Sequence, residues 1–204
     1  DNVRGALIPG IDTKASIKNV GILDSYIDVS TVKNEAYGAA FAAYVKNWRE
    51  EYEVKEENYP VISGCFADTS VIVRGNFAGG MVSGTPSPIK IEDSYFVGKL
   101  IGGSRCGALL GNAFAPDSII RNCYACTADF DQIVDGRGDL IAAGNTYENV
   151  YTFGVAVGLG VTFVNADNMC GVNAKSGMPG LDYDKVWMTV DDTMPIPVSY
   201  THLT

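Results

Sequence analysis

Ile120-Arg121-Asn122-Cys123-Tyr124-Ala125 has near-copies along the whole chain. Twenty-nine residues earlier stands Ile91-Glu92-Asp93-Ser94-Tyr95-Phe96, and 29 before that Ile62-Ser63-Gly64-Cys65-Phe66-Ala67. A slightly shorter step after Ile120 leads to Tyr147-Glu148-Asn149-Val150-Tyr151-Thr152, and a longer one before Ile62 leads back to Ile17-Lys18-Asn19-Val20-Gly21-Ile22. Each copy runs from an apolar or aromatic residue through a spacer and a turn-former to a small or β-branched residue. Most then end on an aromatic. The recurrence carries more information than any single copy.

A second motif alternates with the first. Gly5-Ala6-Leu7-Ile8 and Gly107-Ala108-Leu109-Leu110-Gly111 are nearly the same string. Gly38-Ala39-Ala40-Phe41-Ala42-Ala43, Gly80-Met81-Val82-Ser83-Gly84 and Leu140-Ile141-Ala142-Ala143-Gly144 are looser versions. Both motifs are short, apolar and bounded by Gly, Asn or Asp, which describes buried strands with tight turns and not helices. Strands too short to bury themselves, recurring at a fixed period, predict a stack of repeats. The expected fold is all-β: a parallel β-solenoid, or β-helix, with coils of about 27–29 residues.

In such a stack, equivalent residues lie about 4.7–4.9 Å apart, so each motif position becomes a ladder. The small ladder reads Val20, Cys65, Ser94, Cys123, Val150, and the turn ladder Asn19, Gly64, Asp93, Asn122, Asn149. Phe66, Tyr95, Tyr124 and Tyr151 form an aromatic ladder. Successive side chains on a strand face opposite ways, so an inward small ladder implies an outward aromatic one. An exposed strip of that kind offers a platform to sugar rings or a partner chain. The same rings also stabilise parallel strands through same-face pairs without any ligand.

The motifs resemble the Gly-Leu-any-Gly (GLUG) repeat family of bacterial surface and adhesin-like proteins. The resemblance rests on Gly107 to Gly111 and Ile120 to Ala125. It continues into Leu181-Asp182-Tyr183-Asp184-Lys185-Val186-Trp187 and Met194-Pro195-Ile196-Pro197. It implies solenoid repeats over residues 1–180 and a closing segment of the array over 181–197. It also implies a cell-surface or extracellular location, a larger parent polypeptide, and a non-enzymatic adhesion or scaffold role. The partner would be a host or cell-surface glycan or protein. The family carries no catalytic residues to transfer, and no cofactor is implied. The alternative is a carbohydrate-binding or carbohydrate-active β-helix using the exposed aromatics and paired aspartates.

Residues 46–60 break the period with a charged run. They read as an insertion at one corner, either a short helix ended by Pro60 or a solvated loop. Its Trp48, Tyr52 and Tyr59 either meet a partner, as interface aromatics do, or fold back onto the coils. Of five cysteines, Cys65 and Cys123 hold the same position two coils apart, about 9–10 Å from each other at strand spacing and beyond disulfide reach. The thiols read as small core residues. Asp129-Phe130-Asp131 and Asp182-Tyr183-Asp184, if extended, each place two acids on one face about 6.5–7 Å apart, a spacing suited to inverting glycoside hydrolysis or to calcium. No Arg or Lys stands in a cluster with them, and nothing marks them out from solvated charge.

Composition bounds the rest. Of 204 residues 23 are Gly, 47% are hydrophobic and 19% charged, which suits a folded chain. A formal charge of −9 argues against a nucleic-acid partner, because a phosphate backbone demands a basic face. No apolar run approaches the roughly 18 residues of a membrane-spanning helix. The chain opens on Asp1 without a signal-peptide pattern and reads as a piece of a longer protein. Val198-Ser199-Tyr200-Thr201-His202-Leu203-Thr204 matches the translation of a transposon sequencing adapter. Residues 198–204 are therefore expected to be a non-native tail without partners, and the only histidine, His202, goes with it. Catalysis on a buried His pair and a His-rich metal site are not expected.

Overall fold

The computed structural model describes residues 3–30, 35–74, 77–102, 105–113, 115–127, 145–153 and 160–198. Among these the chain is mostly β, and three parallel sheets curl around one apolar interior. The largest sheet takes a bent pair of strands from each repeat. In its first half Ser16–Lys18, Val61–Ser63, Lys90–Glu92 and the leading parts of Ile119–Cys126 and Thr146–Phe153 lie side by side. Ile17, Ile62, Ile91, Ile120 and Tyr147 consequently share one row. Ile62, Ile91 and Ile120 are fully buried, each stabilising the fold by about 1.5–3 kcal/mol relative to an exposed side chain.

The bend falls where the turn-formers stand. Asn19, Gly64, Asp93, Asn122 and Asn149 have φ of 54, 60, 50, 51 and 52°. That left-handed conformation is open to Gly and tolerated by Asn and Asp, which explains why only those types occupy the ladder. After the corner, Gly21–Ser30, Phe66–Arg74, Tyr95–Val97 and the trailing parts of the two long strands continue in parallel. Cys65, Ser94 and Cys123 point inward and are fully buried. Each donates to the carbonyl two residues back: Cys65 Sγ to Ser63 O at 3.4 Å, Ser94 Oγ to Glu92 O at 2.6 Å, Cys123 Sγ to Arg121 O at 3.0 Å. Those carbonyls also accept a backbone N–H from the neighbouring repeat, Ser63 O from Asn19, Glu92 O from Gly64 and Arg121 O from Asp93, so the side-chain donor occupies a second lone pair.

The second motif supplies the other two sheets. Val3–Gly5, Ala36–Ala39, Phe77–Gly79 and Arg105–Gly107 form one, and Ala42–Tyr44, Val82–Thr85 and Leu110–Ala113 the other. Their small residues have a steric cause. A Cβ on Gly38 would collide with Cγ2 of Val73, which packs onto it from the largest sheet. The register differs from simple motif alignment: the row of Gly107 runs through Gly79 and Ala39, not Gly80 and Gly38. Gly5 pairs with Gly38 while Ile8 bridges Ala42, a slip of one residue. The looser copy Leu140 to Gly144 lies outside the described residues.

Of the two readings open for the aromatics of 46–60, folding back holds for two: the 3-10 turns Trp48–Glu50 and Glu56–Asn58 carry Trp48 and Tyr59 into the main core. Their ring centroids lie 5.7 Å apart. Of the three aromatics only Tyr52, 45% exposed, faces solvent. Three further expectations need correction. The strands end before residue 180. Val161–Phe163 is the last parallel strand, and 164–180 form 3-10 turns and the four-residue helix Ala174–Gly177. Val198 has a partner, its N–H donating to Val186 O at 2.7 Å, while residues 199–204 and His202 lie outside the described residues. Asp182-Tyr183-Asp184 opens a turn and is not extended.

Candidate functional site

Strand parity places the aromatic ladder on the outer face of the largest sheet, opposite the small ladder. Phe66, Tyr95, Tyr124 and Tyr151 stand in one row. Phe66 and Tyr95 stack at 5.1 Å and 16°, Tyr95 and Tyr124 at 4.7 Å and 6°. The row is covered, which corrects the expectation of an exposed strip. Tyr95 is 7% exposed, Tyr124 0% and Tyr151 5%, with Phe66 half-buried at the end.

The cover is the chain from Val164 to Val198. Val164, Met169, Ala174, Met178, Leu181 and Trp187 join the three tyrosines in a second apolar cluster, separate from the inner core. Trp187 leans on Tyr124 at 5.5 Å and on Tyr95 at 6.2 Å. Trp187–Met188 pairs antiparallel with Ile196–Pro197, which holds the indole over the rings. The buried phenols are anchored to the cover's backbone. Tyr124 Oη donates to Pro195 O at 2.7 Å, and Tyr151 Oη accepts from Gly180 N–H at 2.7 Å. Burial holds the Tyr124 and Tyr95 hydroxyls well above their ordinary titration range, with Asp68 adding to the shift at Tyr95.

A groove of about 350 Å³ remains between ladder and cover. Tyr95, Val97 and Tyr124 form its floor, Cys170, Met194 and Ile196 its far wall, and the exposed carboxylates of Asp68 and Asp192 its rim. Tyr95 is held between the rings of Phe66 and Tyr124, and Tyr124 is fully buried. A sugar ring stacks on an aromatic face, and that surface is not presented here.

Of the paired aspartates, Asp182 serves the backbone. Asp182 Oδ1 accepts the N–H groups of Asp184 and Lys185, each at 3.1 Å, a local turn that occupies the carboxylate. Asp129 and Asp131 lie outside the described residues. A charged cluster absent from the sequence reading appears on the first half of the largest sheet. Lys90 Nζ lies 2.9 Å from Glu56 and 3.8 Å from Glu92, and Arg121 lies 3.7 Å from Glu92 and 3.2 Å from Glu148. This cluster lies apart from the paired aspartates, and the sequence reading did not name it. The signal was available, because Glu92, Arg121 and Glu148 occupy the same spacer position in successive repeats. Lys90 and Arg121 hold the Glu56 carboxyl below its usual range.

All five cysteines are free thiols. Burial pushes Cys106 up to about 11 and Cys123 higher still, so neither is a thiolate at neutral pH. Of the residues expected to bind, the four ladder aromatics are brought together and covered. Trp48 is core, and Tyr52 stands alone on the insertion. Among the described residues no group of three or more His, Cys, Asp or Glu is arranged to hold a metal ion, and no helix is long and apolar enough to cross a membrane. Comparison with protein-family models, with curated proteins and with solved structures finds no match to this chain.

Proposed function

We propose that the chain is a non-enzymatic scaffold and adhesion module of a secreted or cell-surface bacterial polypeptide. In this reading it is a parallel β-solenoid of GLUG-like repeats, with coils of about 27–29 residues in its regular part. The observation that carries the reading is the register: one row of five apolar residues and five turn-formers in one corner conformation. Rows of this kind give a stack with long regular sides, suited to spacing and to many weak contacts. Chemistry is disfavoured by the state of the reactive groups. The Asp182 carboxylate caps a turn, Lys90 and Arg121 are paired with acids, and the Cys106 and Cys123 thiols stay protonated.

The test joins a polysaccharide-hydrolysis assay to binding on mucin and glycan surfaces. The scaffold reading expects no release of reducing sugar, and capture that grows steeply with the number of linked copies, as multivalent contact requires. Release of reducing sugar would overturn it. So would tight monovalent glycan binding lost in Asp68→Asn/Asp192→Asn, which would assign the groove to a carbohydrate.

A further inference from the structure

The five cysteines divide by the face they occupy. Cys65 and Cys123 line the inside of the largest sheet, and Cys106 is fully buried in the same inner core. Cys126 and Cys170 belong to the outer side. Cys126 lies two residues beyond Tyr124 on the same strand, so its side chain leaves the same face. Its neighbours across the sheet are Val97 and Phe153, both packed against the cluster under the cover. Cys170 comes down from the cover and lines the groove whose floor is Val97 and Tyr124. Adjacent strands are about 4.8 Å apart, so Cys126 is one strand from a residue lining the groove that Cys170 also lines. The electrostatics agree: burial raises the Cys126 thiol and the neighbouring Cys170 raises it further. The Tyr124 hydroxyl responds to both sulfurs.

We propose that Cys126 and Cys170 form a disulfide that fastens the cover to the outer face of the parallel sheet. The oxidant is a small disulfide such as oxidised glutathione. Cys170, the more exposed thiol, attacks first as its thiolate. A bond forms between Cys170 Sγ and one glutathione sulfur, the small disulfide breaks, and one glutathione leaves as thiolate. Cys126 Sγ, once deprotonated, attacks Cys170 Sγ, the mixed disulfide breaks, and the second glutathione leaves. Two protein thiols are oxidised and one small disulfide is reduced to two thiols, which take up the two protons. Both protein thiols sit above their ordinary range, Cys170 through burial and then the nearby Asp167 and Asp192. Thiolate is therefore scarce at neutrality, and the bond forms faster as pH rises from 7 to 9.

The experiment treats the full chain with oxidised glutathione at pH 8.5, alkylates remaining thiols under denaturing conditions, and maps peptides without reduction. Trypsin with chymotrypsin is needed, because a cut after Tyr124 separates Cys123 from Cys126. The expected product is a Cys126–Cys170 linked peptide with the other three cysteines alkylated. A Tm several degrees above the reduced protein should accompany it, reversible by reductant, since closing a long loop restricts the unfolded chain. Cys170→Ser should abolish both changes. Recovery of Cys170 as a glutathione adduct with Cys126 alkylated, or its linkage to any other cysteine, would overturn the proposal.

Discussion

The two faces of the bend in the largest sheet solve the same burial problem in different ways. Inward, Cys65, Ser94 and Cys123 meet the interior as a narrow ladder that repetition alone completes, each copy bonding its own corner carbonyl. Outward, Phe66, Tyr95 and Tyr124 stack as regularly and Tyr151 continues their row, yet the three tyrosines are buried beneath Trp187 and its neighbours. The inner face needs no cover, although Trp48 and Tyr59 of the insertion join its core. The outer face depends on a segment that repeats nothing. Regularity of a ladder is therefore no sign that it faces solvent, and an aromatic row on a strand stack can be a docking surface for a later segment of the same chain.

The comparison breaks if the two faces unfold together. Trp187→Ala removes the largest fully buried side chain of the cover and should cost about 3–5 kcal/mol. Hydrogen exchange should then show protection lost over 164–198 while the amides of Ile62, Ile91 and Ile120 stay protected. Equal loss in both regions would mean the cover and the stack form one cooperative unit. Ile91→Ala strikes the inner row at its centre and should cost about 2–5 kcal/mol. Urea unfolding should here show both regions weakened, because the cover rests on the sheet.

Smaller changes sharpen the same contrast. Cys123→Ser keeps a second donor to Arg121 O, whereas Cys123→Ala leaves that carbonyl with the Asp93 N–H alone. The alanine variant should be the less stable by about 1 kcal/mol in chemical denaturation. Equal stabilities would reduce the small ladder to a matter of volume. At the corner, burial raises the Asp93 carboxyl, the Asn122 amide bonded to it at 3.1 Å opposes the rise, and Asp182 adds to it. An acid whose pKa is raised on folding holds its proton more tightly in the native state, so ionisation weakens the fold as pH climbs through that range. Asp93→Asn extends the amide ladder of Asn122 and Asn149 without the charge. Its Tm should exceed wild type by a degree or two at pH 7, and the gain should vanish as the pH drops below the carboxylate range. A gain that persists in acid would point to hydrogen bonding alone.

The inner rows and the corner were legible because both are local and periodic. A residue that must adopt positive φ admits few types, and Asn19, Gly64, Asp93, Asn122 and Asn149 display that restriction at one motif position. The resemblance marked only 181–197 as a closing segment, and nothing in the sequence placed 164–198 over the tyrosines. Contacts such as Trp187 on Tyr124 join segments far apart in sequence and follow no period. The insertion was ambiguous for a similar reason: charge dominates 46–60, while Trp48 and Tyr59 decide where it goes. The one-residue error in the glycine motif has a steric origin. Gly38 is placed by Val73 of another sheet and not by its own repeat, so string alignment misses its row.

The central claim is that equivalent strands of successive repeats lie parallel and in register, so that Ile62, Ile91 and Ile120 form consecutive members of one buried row. Methyl–methyl NOEs in protein labelled at isoleucine δ1 positions, assigned by Ile→Val substitution, test it directly. Neighbouring strands about 4.8 Å apart predict strong cross-peaks from Ile91 to both Ile62 and Ile120, and a weak or missing one between Ile62 and Ile120. Absence of either Ile91 cross-peak, or a dominant one between Ile62 and Ile120, would contradict the register.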